Sequence, residues 1–376
     1  MAIRTLARRF TAASLLFMGL AANSKGIAAP PETALTANDV KAVTEKAYAF
    51  LKSKQAEDGS IAARETRGPG VTALAVASLI RLGYGPDDPL VAKALKYLES
   101  QVKPDGGVYA RGLQTYTTSL ALVAFKEANA GGKYDKVIAS AVKYVKGLQY
   151  GDGVDPKDAK YGGAGYDGTT RPDLSNTQIL LDGLAAAGLP KDDPAFKRAI
   201  AFVSRSQNLP GEFNNLAYAT KATDADKGGF VYNFTDAGNE NSPKRTPEGG
   251  LRSEGGMTYA GLKSFLYAGV SKDDARVKAA LAWIKRHYTL NENPGQGQSG
   301  LFYYYQTFAK AMYLLGGDKF EDAKGTKHDW RKELYDVLKA KQKPDGSWTN
   351  PNNAFLEGNP ELATSFSLLA LSYAKP

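Results

Sequence analysis

The sequence predicts an all-α protein built from six pairs of helices. A repeated motif supports this: five glutamines each end a helix-like stretch, and an acidic residue and a glycine closely follow four of them. The five are Gln55, Gln101, Gln149, Gln207 and Gln342, and His287 takes the glutamine position in a degenerate sixth copy. Two kinds of helix alternate along the repeat. Gln55, Gln101, Gln149 and Gln207 are 46, 48 and 58 residues apart, and each interval contains one helix pair. A repeat of this kind indicates a solenoid or toroid.

The first helix of each pair is amphipathic and is predicted to lie on the outside. Its apolar residues recur three and four positions apart, with lysines between them. Asp-Asp pairs that end at Asp88, Asp193 and Asp274 begin three of these helices. We interpret them as N-caps rather than metal ligands, because a carboxylate there accepts free backbone N–H groups. The predicted outer helices span residues 39–54, 88–100, 134–148, 193–206, 274–287 and 328–341.

The second helix of each pair is apolar on most of its faces, which is typical of a buried helix. These helices are predicted to form an inner ring inside the lysine-bearing ones. Six antiparallel pairs can close into a ring, and a closed ring needs no polar cap at its ends. The predicted inner helices span residues 71–82, 117–128, 177–187, 257–268, 302–315 and 362–373.

Composition excludes several classes of function. The chain has no cysteine, so disulfides and thiolate chemistry are excluded. Its net charge of +9 is not gathered into basic clusters with interleaved aromatics, so no nucleic-acid partner is expected. No stretch is long and apolar enough to predict a membrane span. The oligomeric state is left open.

The N-terminus resembles an export signal. Arg4, Arg8 and Arg9 precede an apolar run of 12 residues, 11–22, which is too short to span a bilayer. We predict a signal peptide over residues 1–24, a linker over 25–37 and the helical domain over 38–376. The protein is therefore expected to be exported, to the periplasm or the medium. The sequence leaves open whether the route is Sec or twin-arginine.

One motif carries a resemblance to a known superfamily. The stretch Gln342-Lys-Pro-Asp-Gly-Ser-Trp348 has the shape of the QW repeat. With the helix-pair period, the chain resembles terpenoid cyclases and protein prenyltransferases, squalene–hopene cyclases included. The resemblance covers about residues 38–376 and implies an (α/α)6 toroid with a central cavity. It also implies that the connectors from outer to inner helices share one face, including a long insertion at residues 209–255.

The proton-donor motif of these cyclases is altered here. The family places Asp-x-Asp-Asp-Thr-Ala at the head of an inner helix, and the matching stretch is Asp173-Leu-Ser-Asn-Thr-Gln178. Ser175 replaces the middle acid, which is the proton donor, and Asn176 replaces the third. Neither side chain can protonate an alkene or an epoxide, since that needs a carboxyl group held neutral. We expect Ser175 or Asn176 to cap a helix that begins at Thr177.

The metal motifs of related enzymes are also missing. The zinc site of prenyltransferases uses Asp, Cys and His, whereas this chain has no cysteine and only His287 and His328, both predicted to lie on outer helices. The aspartate pairs lack the third acid of a magnesium motif. We therefore predict neither a metal nor another cofactor.

Candidate site residues are expected on the connector face. The predicted acids are Asp173, Glu254 and Glu361. Tyrosine rings suit isoprenoid chains, carbocations or sugar faces, and arginines near helix N-termini favour an anionic ligand. The predicted ligand-binding residues are Tyr116, Arg171, Asn176, Tyr259, Tyr303 and Arg252.

Three functions remain open. The first is a cyclase-like toroid that binds an apolar, isoprenoid-like small molecule without the standard proton donor. The second is a polysaccharide-active lyase or glycoside hydrolase on the same helical ring, with paired carboxylates. The third is a non-catalytic binding or scaffold protein of the cell envelope. The sequence does not decide whether the chain is an enzyme.

Overall fold

Two concentric rings of helices make up the chain. The computed structural model describes residues 34–66 and 68–376, and residues 35–376 form one unit. The predicted signal peptide and most of the predicted linker lie outside the described residues. In chain order the helices are α1 (Ala37–Lys54), α2 (Gly70–Arg81), α3 (Pro89–Ser100), α4 (Gln114–Glu127), α5 (Asp135–Leu148), α6 (Leu174–Ala186), α7 (Pro194–Arg205), α8 (Ala217–Thr220), α9 (Gly255–Tyr267), α10 (Ala275–His287), α11 (Leu301–Leu315), α12 (Trp330–Lys341) and α13 (Pro360–Ala374).

The inner ring closes on itself. Helices α2, α4, α6, α9, α11 and α13 each pack against the next, and α13 packs against α2. Nearly all their residues are buried, as expected for helices that are apolar on most faces. The outer helices α1, α3, α5, α7, α10 and α12 cover them. The predicted all-α toroid of six helix pairs is confirmed.

Local chemistry sets the starts of the outer helices as predicted. Asp88 accepts from the amides of Leu90 and Val91, and Asp193 and Asp274 cap α7 and α10 in the same way. Proline follows Asp88 and Asp193 at the first helical position, where its missing N–H costs nothing. The interpretation of these aspartates as N-caps is confirmed.

His328 does not lie on an outer helix, contrary to the sequence prediction. It lies in β2 (Lys327–His328), which pairs antiparallel with β1 (Phe320–Glu321). Helix α12 starts two residues later because Asp329 is its N-cap and accepts from the amide of Lys332. His287 does end an outer helix, α10.

In four of the six repeats, a glutamine side-chain amide links the connector to the next outer helix. Each amide Nε2 donates to a glycine carbonyl of its own connector and to a carbonyl near the start of the next outer helix, at 2.9 to 3.1 Å. We call this contact the clasp. The pairs of glutamine and outer-helix residue are Gln55 with Leu90, Gln149 with Ala195, Gln207 with Arg276, and Gln342 with Val43. The last clasp joins the final repeat to α1 and so closes the outer ring.

Glycine is required beside the clasp. Gly162 has φ +85°, and a Cβ there would lie 2.0 Å from the carbonyl oxygen of Arg198 on the next outer helix. Gly59, Gly106, Gly228 and Gly346 face the same position of their own neighbouring helices with φ near +90°. Only glycine allows both the left-handed backbone and this close approach.

A threonine of the inner helix completes five of the six connectors. The backbone amide two residues after the clasp glycine donates to a threonine hydroxyl, as Ala164 does to Thr177 and Trp348 does to Thr364. Thr72, Thr118 and Thr258 accept in the same way. One connector therefore ties together its own outer helix, its own inner helix and the next outer helix.

Two junctions depart from the pattern. The Gln101 amide donates only to Ser100 at the end of its own helix, although Gly106 still packs on Ser140 of α5. After α10, where His287 replaces the glutamine, the Tyr288 hydroxyl donates to Glu333 of α12 instead. The degenerate sequence copy therefore corresponds to a different contact rather than to a gap in the ring.

The insertion at residues 209–255 has a small core of its own. Tyr218, Val231, Phe234 and Leu251 are buried together against Phe202 of α7. The segment contains α8 and a short 3-10 helix, Phe234–Gly238. Within the part of the chain that the structure describes, no helix combines the length and apolarity needed to cross a membrane.

The clasp predicts a measurable stability difference between two glutamines. Gln207 is fully buried. Gln207→Ala leaves the Gly228 carbonyl without its side-chain donor and the Arg276 carbonyl with only its hydrogen bond inside α10. We expect this variant to lose about 1–3 kcal/mol of unfolding free energy, measured by urea denaturation. Gln101→Ala is the matched control, because Gln101 makes no clasp, and it should stay within about 0.5 kcal/mol of wild type. Equal losses in the two variants would rule out the clasp as a stabilising contact.

Candidate functional site at the mouth of the ring

All six inner helices begin on the same face. Each long connector runs from the end of an outer helix to the start of an inner helix, whereas the returns from inner to outer helices are made on the opposite face. The connectors therefore gather around the N-termini of the inner ring, as the resemblance implied. We call this face the mouth.

Side chains of the inner ring keep partial exposure at its centre. Tyr116 and Leu120 of α4, Tyr303 of α11, and Leu362 and Phe366 of α13 are half-buried, although their helices are otherwise buried. The Tyr303 ring meets the Phe366 ring edge-on at 5.9 Å. Residues 116 and 120, like 362 and 366, lie one turn apart on the same side of their helix. We use the name central depression for these five partly exposed residues.

A chain of hydroxyl groups crosses the ring at this level. Helices α4 and α11 lie on opposite sides of the inner ring, and Ser175 of α6 joins them. Its Oγ lies 2.7 Å from the hydroxyl oxygen of Tyr116 and 3.0 Å from that of Tyr303. Gln178, one turn further along α6, donates to the Tyr303 hydroxyl at 3.0 Å. Burial raises the pKa of both tyrosines, so they stay protonated at neutral pH.

Asp173 caps α6. Its carboxylate accepts from the backbone N–H and the side-chain amide of Asn176, both at 2.8 Å. The helix therefore begins at Leu174 rather than Thr177, and the expectation that Ser175 or Asn176 is its cap is wrong. An aspartate in extended conformation just before the helix presents its carboxylate to the first-turn amides better than a residue already inside the turn. Burial raises the pKa of Asp173, against these hydrogen bonds.

Two further carboxylates lie at inner-helix N-termini. Glu254 precedes α9, is buried and forms an ion pair with Lys244, and burial raises its pKa despite the lysine. Glu357 is fully buried at the start of α11 and accepts from the Tyr303 amide at 2.8 Å and from Asn350 at 2.7 Å. Burial raises the pKa of Glu357 as well. Negative charge is favoured at these positions by the helix dipole.

Sequence reasoning missed Glu357 and proposed Glu361 instead. Glu361 is half-buried in the first turn of α13. Glu357 lies in the preceding connector, and no periodicity marks it. Its role follows from Gly300, whose left-handed backbone starts α11 without a side-chain cap of its own, so that the cap comes from a distant segment.

The predicted ligand-binding residues are divided by the structure. Tyr116 and Tyr303 line the central depression. Tyr259 does not, which corrects the sequence prediction: it is buried in the core, edge-on to Tyr304 at 5.8 Å and to Phe308 at 5.1 Å. Its ring points to the helix interface because that side of α9 meets α11.

The polar candidates lie apart from one another. Asn176 is buried, with its side-chain amide donated to Asp173. Arg171 is exposed and donates to the Thr235 hydroxyl at 2.7 Å. Arg252 is exposed on a connector. The mouth thus presents buried carboxylates that already have partners, rather than free cations, at these helix N-termini.

A buried ion cluster joins three inner helices further along their length, on the side away from the mouth. Asp182 of α6 lies 2.5 Å from the ammonium of Lys263 on α9 and 3.1 Å from that of Lys310 on α11. Burial alone would raise the pKa of Asp182, but the two lysines hold it below its usual value. Burial lowers the pKa of Lys263 to about 8. Sequence reasoning missed this cluster, although each of its three residues is a charged residue inside an otherwise apolar inner helix.

Other concave or charged sites are not at the centre. Two cavities, of about 430 Å³ and 250 Å³, lie beside connectors and outer helices, the first at the end of α10 and the second between α7 and α10. Across residues 34–66 and 68–376, no group of three or more His, Cys, Asp or Glu side chains could hold a metal ion.

Comparison with known proteins agrees with this geometry. Residues 65–232 match the family model of the squalene-hopene cyclase C-terminal domain. The helical toroid of this chain is the fold of known terpene cyclases. Type II terpene cyclase MstE from Scytonema, in complex with its product merosterolic acid A, is similar to this chain with 14% identity and a TM-score of 0.54, over 90% of this chain and 97% of that one.

Further solved structures have the same fold. The complex of MstE with its substrate geranylgeranyl dihydroxybenzoate has 14% identity and a TM-score of 0.52, over 90% of this chain and 96% of that one. A protein from Actinoplanes has 15% identity and a TM-score of 0.53, over 89% and 99%. No curated protein matches this chain.

Asp173 gives a pH-dependent prediction. Since its pKa is raised above the usual 3.8 in the folded protein, the folded state binds the proton more tightly than the unfolded state. That contribution to stability is present below about pH 3.8 and is lost as pH rises through the raised pKa. Asparagine caps helices equally well but does not titrate. Asp173→Asn should therefore gain stability relative to wild type as pH rises through this window, measured by urea denaturation at several pH values.

Asp173→Ala is the control for the capping role. It removes both the charge and the cap, so it should cost about 1 kcal/mol more than Asp173→Asn. A stability difference between Asp173→Asn and wild type that does not change with pH would contradict the raised pKa.

Proposed function

We propose that the protein is an exported, cyclase-like toroid that binds an apolar, isoprenoid-like small molecule in the central depression. Proton-initiated cyclisation by the standard donor is not part of this proposal. The observation that carries it is the composition of the depression: Leu120, Leu362 and Phe366 supply apolar walls, while the rings of Tyr116 and Tyr303 supply aromatic faces. Ligand sites are typically apolar with a few placed polar groups.

The chemistry at Ser175 supports binding without the standard acid. Ser175 stands where related cyclases carry the proton donor, and its hydroxyl is shared between Tyr116 and Tyr303. An aliphatic hydroxyl and two tyrosines of raised pKa are poor acids at neutral pH. Asp173, the remaining acid of the motif, is engaged as the cap of α6.

Similar structures support the ligand class. The MstE structure noted above holds geranylgeranyl dihydroxybenzoate as its substrate, which combines an isoprenoid chain with an aromatic head. At 14% identity this likeness shows the fold, and the step from that ligand to this chain is part of the proposal. The polysaccharide-active and scaffold alternatives stay predictions. The carboxylates of Asp173, Glu254 and Glu357 each already form hydrogen bonds or an ion pair with other residues of the chain.

Binding of an isoprenoid tests the proposal directly. Equilibrium dialysis with radiolabelled farnesol should show saturable, one-to-one binding. Phe366→Ala should weaken it by about tenfold, because an aromatic wall of the depression is lost. Tyr313→Ala is the matched control: Tyr313 is exposed near the end of α11 away from the mouth, so affinity should stay unchanged. Absence of binding to the wild-type protein would reject the proposed function.

Export is a separate part of the proposal and rests on residues 1–24. N-terminal sequencing of the mature protein should find a chain that begins after Ala22 or Ser24, in the periplasmic or extracellular fraction. A mature protein that retains residues 1–24 in the cytoplasm would contradict export and leave the ligand proposal untouched.

A further inference from the structure

Two exposed apolar side chains mark the last connector of the mouth. Phe355 is 59% exposed and Leu356 is 52% exposed, on a short 3-10 turn, Ala354–Leu356, between α12 and α13. Both residues have a left-handed backbone, with φ of +63° and +62°. Bulky residues rarely adopt this conformation, because their Cβ then lies too close to the following carbonyl oxygen. The fold therefore holds two apolar side chains in solvent at a conformational cost.

Hydrogen bonds on both sides of the turn keep its left-handed form. The Asn353 carbonyl accepts from the Leu356 amide at 3.2 Å, and the Asn353 side chain accepts from the Gly358 amide at 2.9 Å. The Leu356 carbonyl in turn accepts from the Asn359 amide at 2.9 Å. Strained backbone persists where its surroundings over-determine it, and such positions cluster at ligand sites. The two apolar side chains are thus held outward by a fixed turn.

This turn borders the central depression. The Phe355 ring lies over Gly300, where a Cβ would come within 3.2 Å of it, so the ring rests on the start of α11. Leu356 lies just before the start of α13. Tyr303 and Leu362, two residues of the depression, are the third residues of these two helices, which is about 3 Å of helix rise from the first. The exposed pair therefore lies beside the depression, at the same end of the ring.

The size of the exposed patch indicates what can cover it. Across residues 34–66 and 68–376, the exposed large apolar or aromatic side chains are those of Tyr166, Tyr313, Phe355 and Leu356. Tyr313 lies away from the mouth, so three remain there. A stable protein interface buries about 800 Å² on each partner and takes roughly 20–30 residues from it. Three side chains are far too few for that, and they suit the chain of a small apolar molecule.

We propose that Phe355 and Leu356 are ligand-binding residues: the isoprenoid-like molecule in the central depression lies across both side chains and removes them from solvent. This inference rests on the proposed function and adds the residues at the rim of its site. The left-handed backbone places both side chains before the ligand arrives, which reduces the ordering cost of binding. The apolar area that the ligand covers contributes to affinity.

A tryptophan reporter tests the contact. The three tryptophans of the chain are buried, so Phe355→Trp introduces an exposed one. Its emission should shift to the blue on titration with farnesol, and iodide should quench it less, because the ring leaves water. Tyr313→Trp is the matched control: this position is exposed on the opposite face, so its emission and quenching should not change.

Relief of the backbone strain separates a binding role from a structural one. Leu356→Gly suits the left-handed conformation, so it should raise the urea midpoint of unfolding. It should also weaken farnesol binding about tenfold, since an apolar contact with the ligand is lost. Ala62→Gly is the matched control, because Ala62 also has a left-handed backbone, with φ of +51°, on another connector of the mouth. It should raise the midpoint and leave the affinity unchanged.

The outcomes separate this inference from the proposed function. Farnesol that binds Phe355→Trp in equilibrium dialysis without shifting its emission would overturn the inference and leave isoprenoid binding intact. A Leu356→Gly protein with unchanged affinity would do the same. An emission shift with vesicles of phosphatidylcholine and phosphatidylglycerol, and none with farnesol, would assign the patch to a lipid surface and overturn it as well. If farnesol binds none of the proteins, wild type included, the proposed function itself is rejected.

Discussion

The structure depends on one repeated contact, the glutamine amide that joins two carbonyls. At each clasp the donor satisfies a connector glycine and the start of the neighbouring outer helix at once. The glycine itself lies against the same helix one turn later, where no side chain fits. Such a donor is costly to remove, because the glycine carbonyl then loses its side-chain donor and the helix carbonyl loses its second one. Gln342 on Val43 extends this contact from the last repeat to the first, where it adds to the packing of α13 on α2 that closes the inner ring.

The arrangement of connectors in the closed ring determines which groups the inner ring presents at the mouth. Because every connector leads to the start of an inner helix, six helix N-termini share one face, and three of them have buried carboxylates. Asp173 and Glu357 accept from first-turn amides of α6 and α11, and Glu254 forms an ion pair with Lys244. The mouth is therefore a rigid, internally satisfied rim rather than a collection of free catalytic groups. Functional sites on rigid elements hold their groups with more precision than sites on loops.

The ion cluster of Asp182, Lys263 and Lys310 shows a second use of buried polarity. One carboxylate faces two ammonium groups that have little contact with solvent. Such clusters rarely add net stability compared with apolar residues, since desolvation offsets the attraction, but losing one partner is strongly destabilising. The cluster joins α6, α9 and α11 at a fixed relative height. The hydroxyl chain of Tyr116, Ser175 and Tyr303 does the same on the mouth side, so polar contacts hold the inner ring on both sides of its apolar middle.

The sequence by itself determined the helices and their roles. The repeat period, the Asp-Pro starts of α3 and α7 and the apolar inner segments predicted twelve helices close to their observed bounds, because each signal is local. The altered cyclase motif also drew attention to Asp173 and Ser175, and the tyrosines of the connector face to Tyr116. Only the tertiary structure decided which polar groups pair across the ring. Glu357 caps a helix that begins 56 residues before it in the chain. The Tyr259 ring packs in the interface between α9 and α11, and the Ser175 hydroxyl contacts that of Tyr303 across the centre of the ring. Such pairings depend on how six helices are arranged around an axis, and no periodicity along a single chain encodes that arrangement.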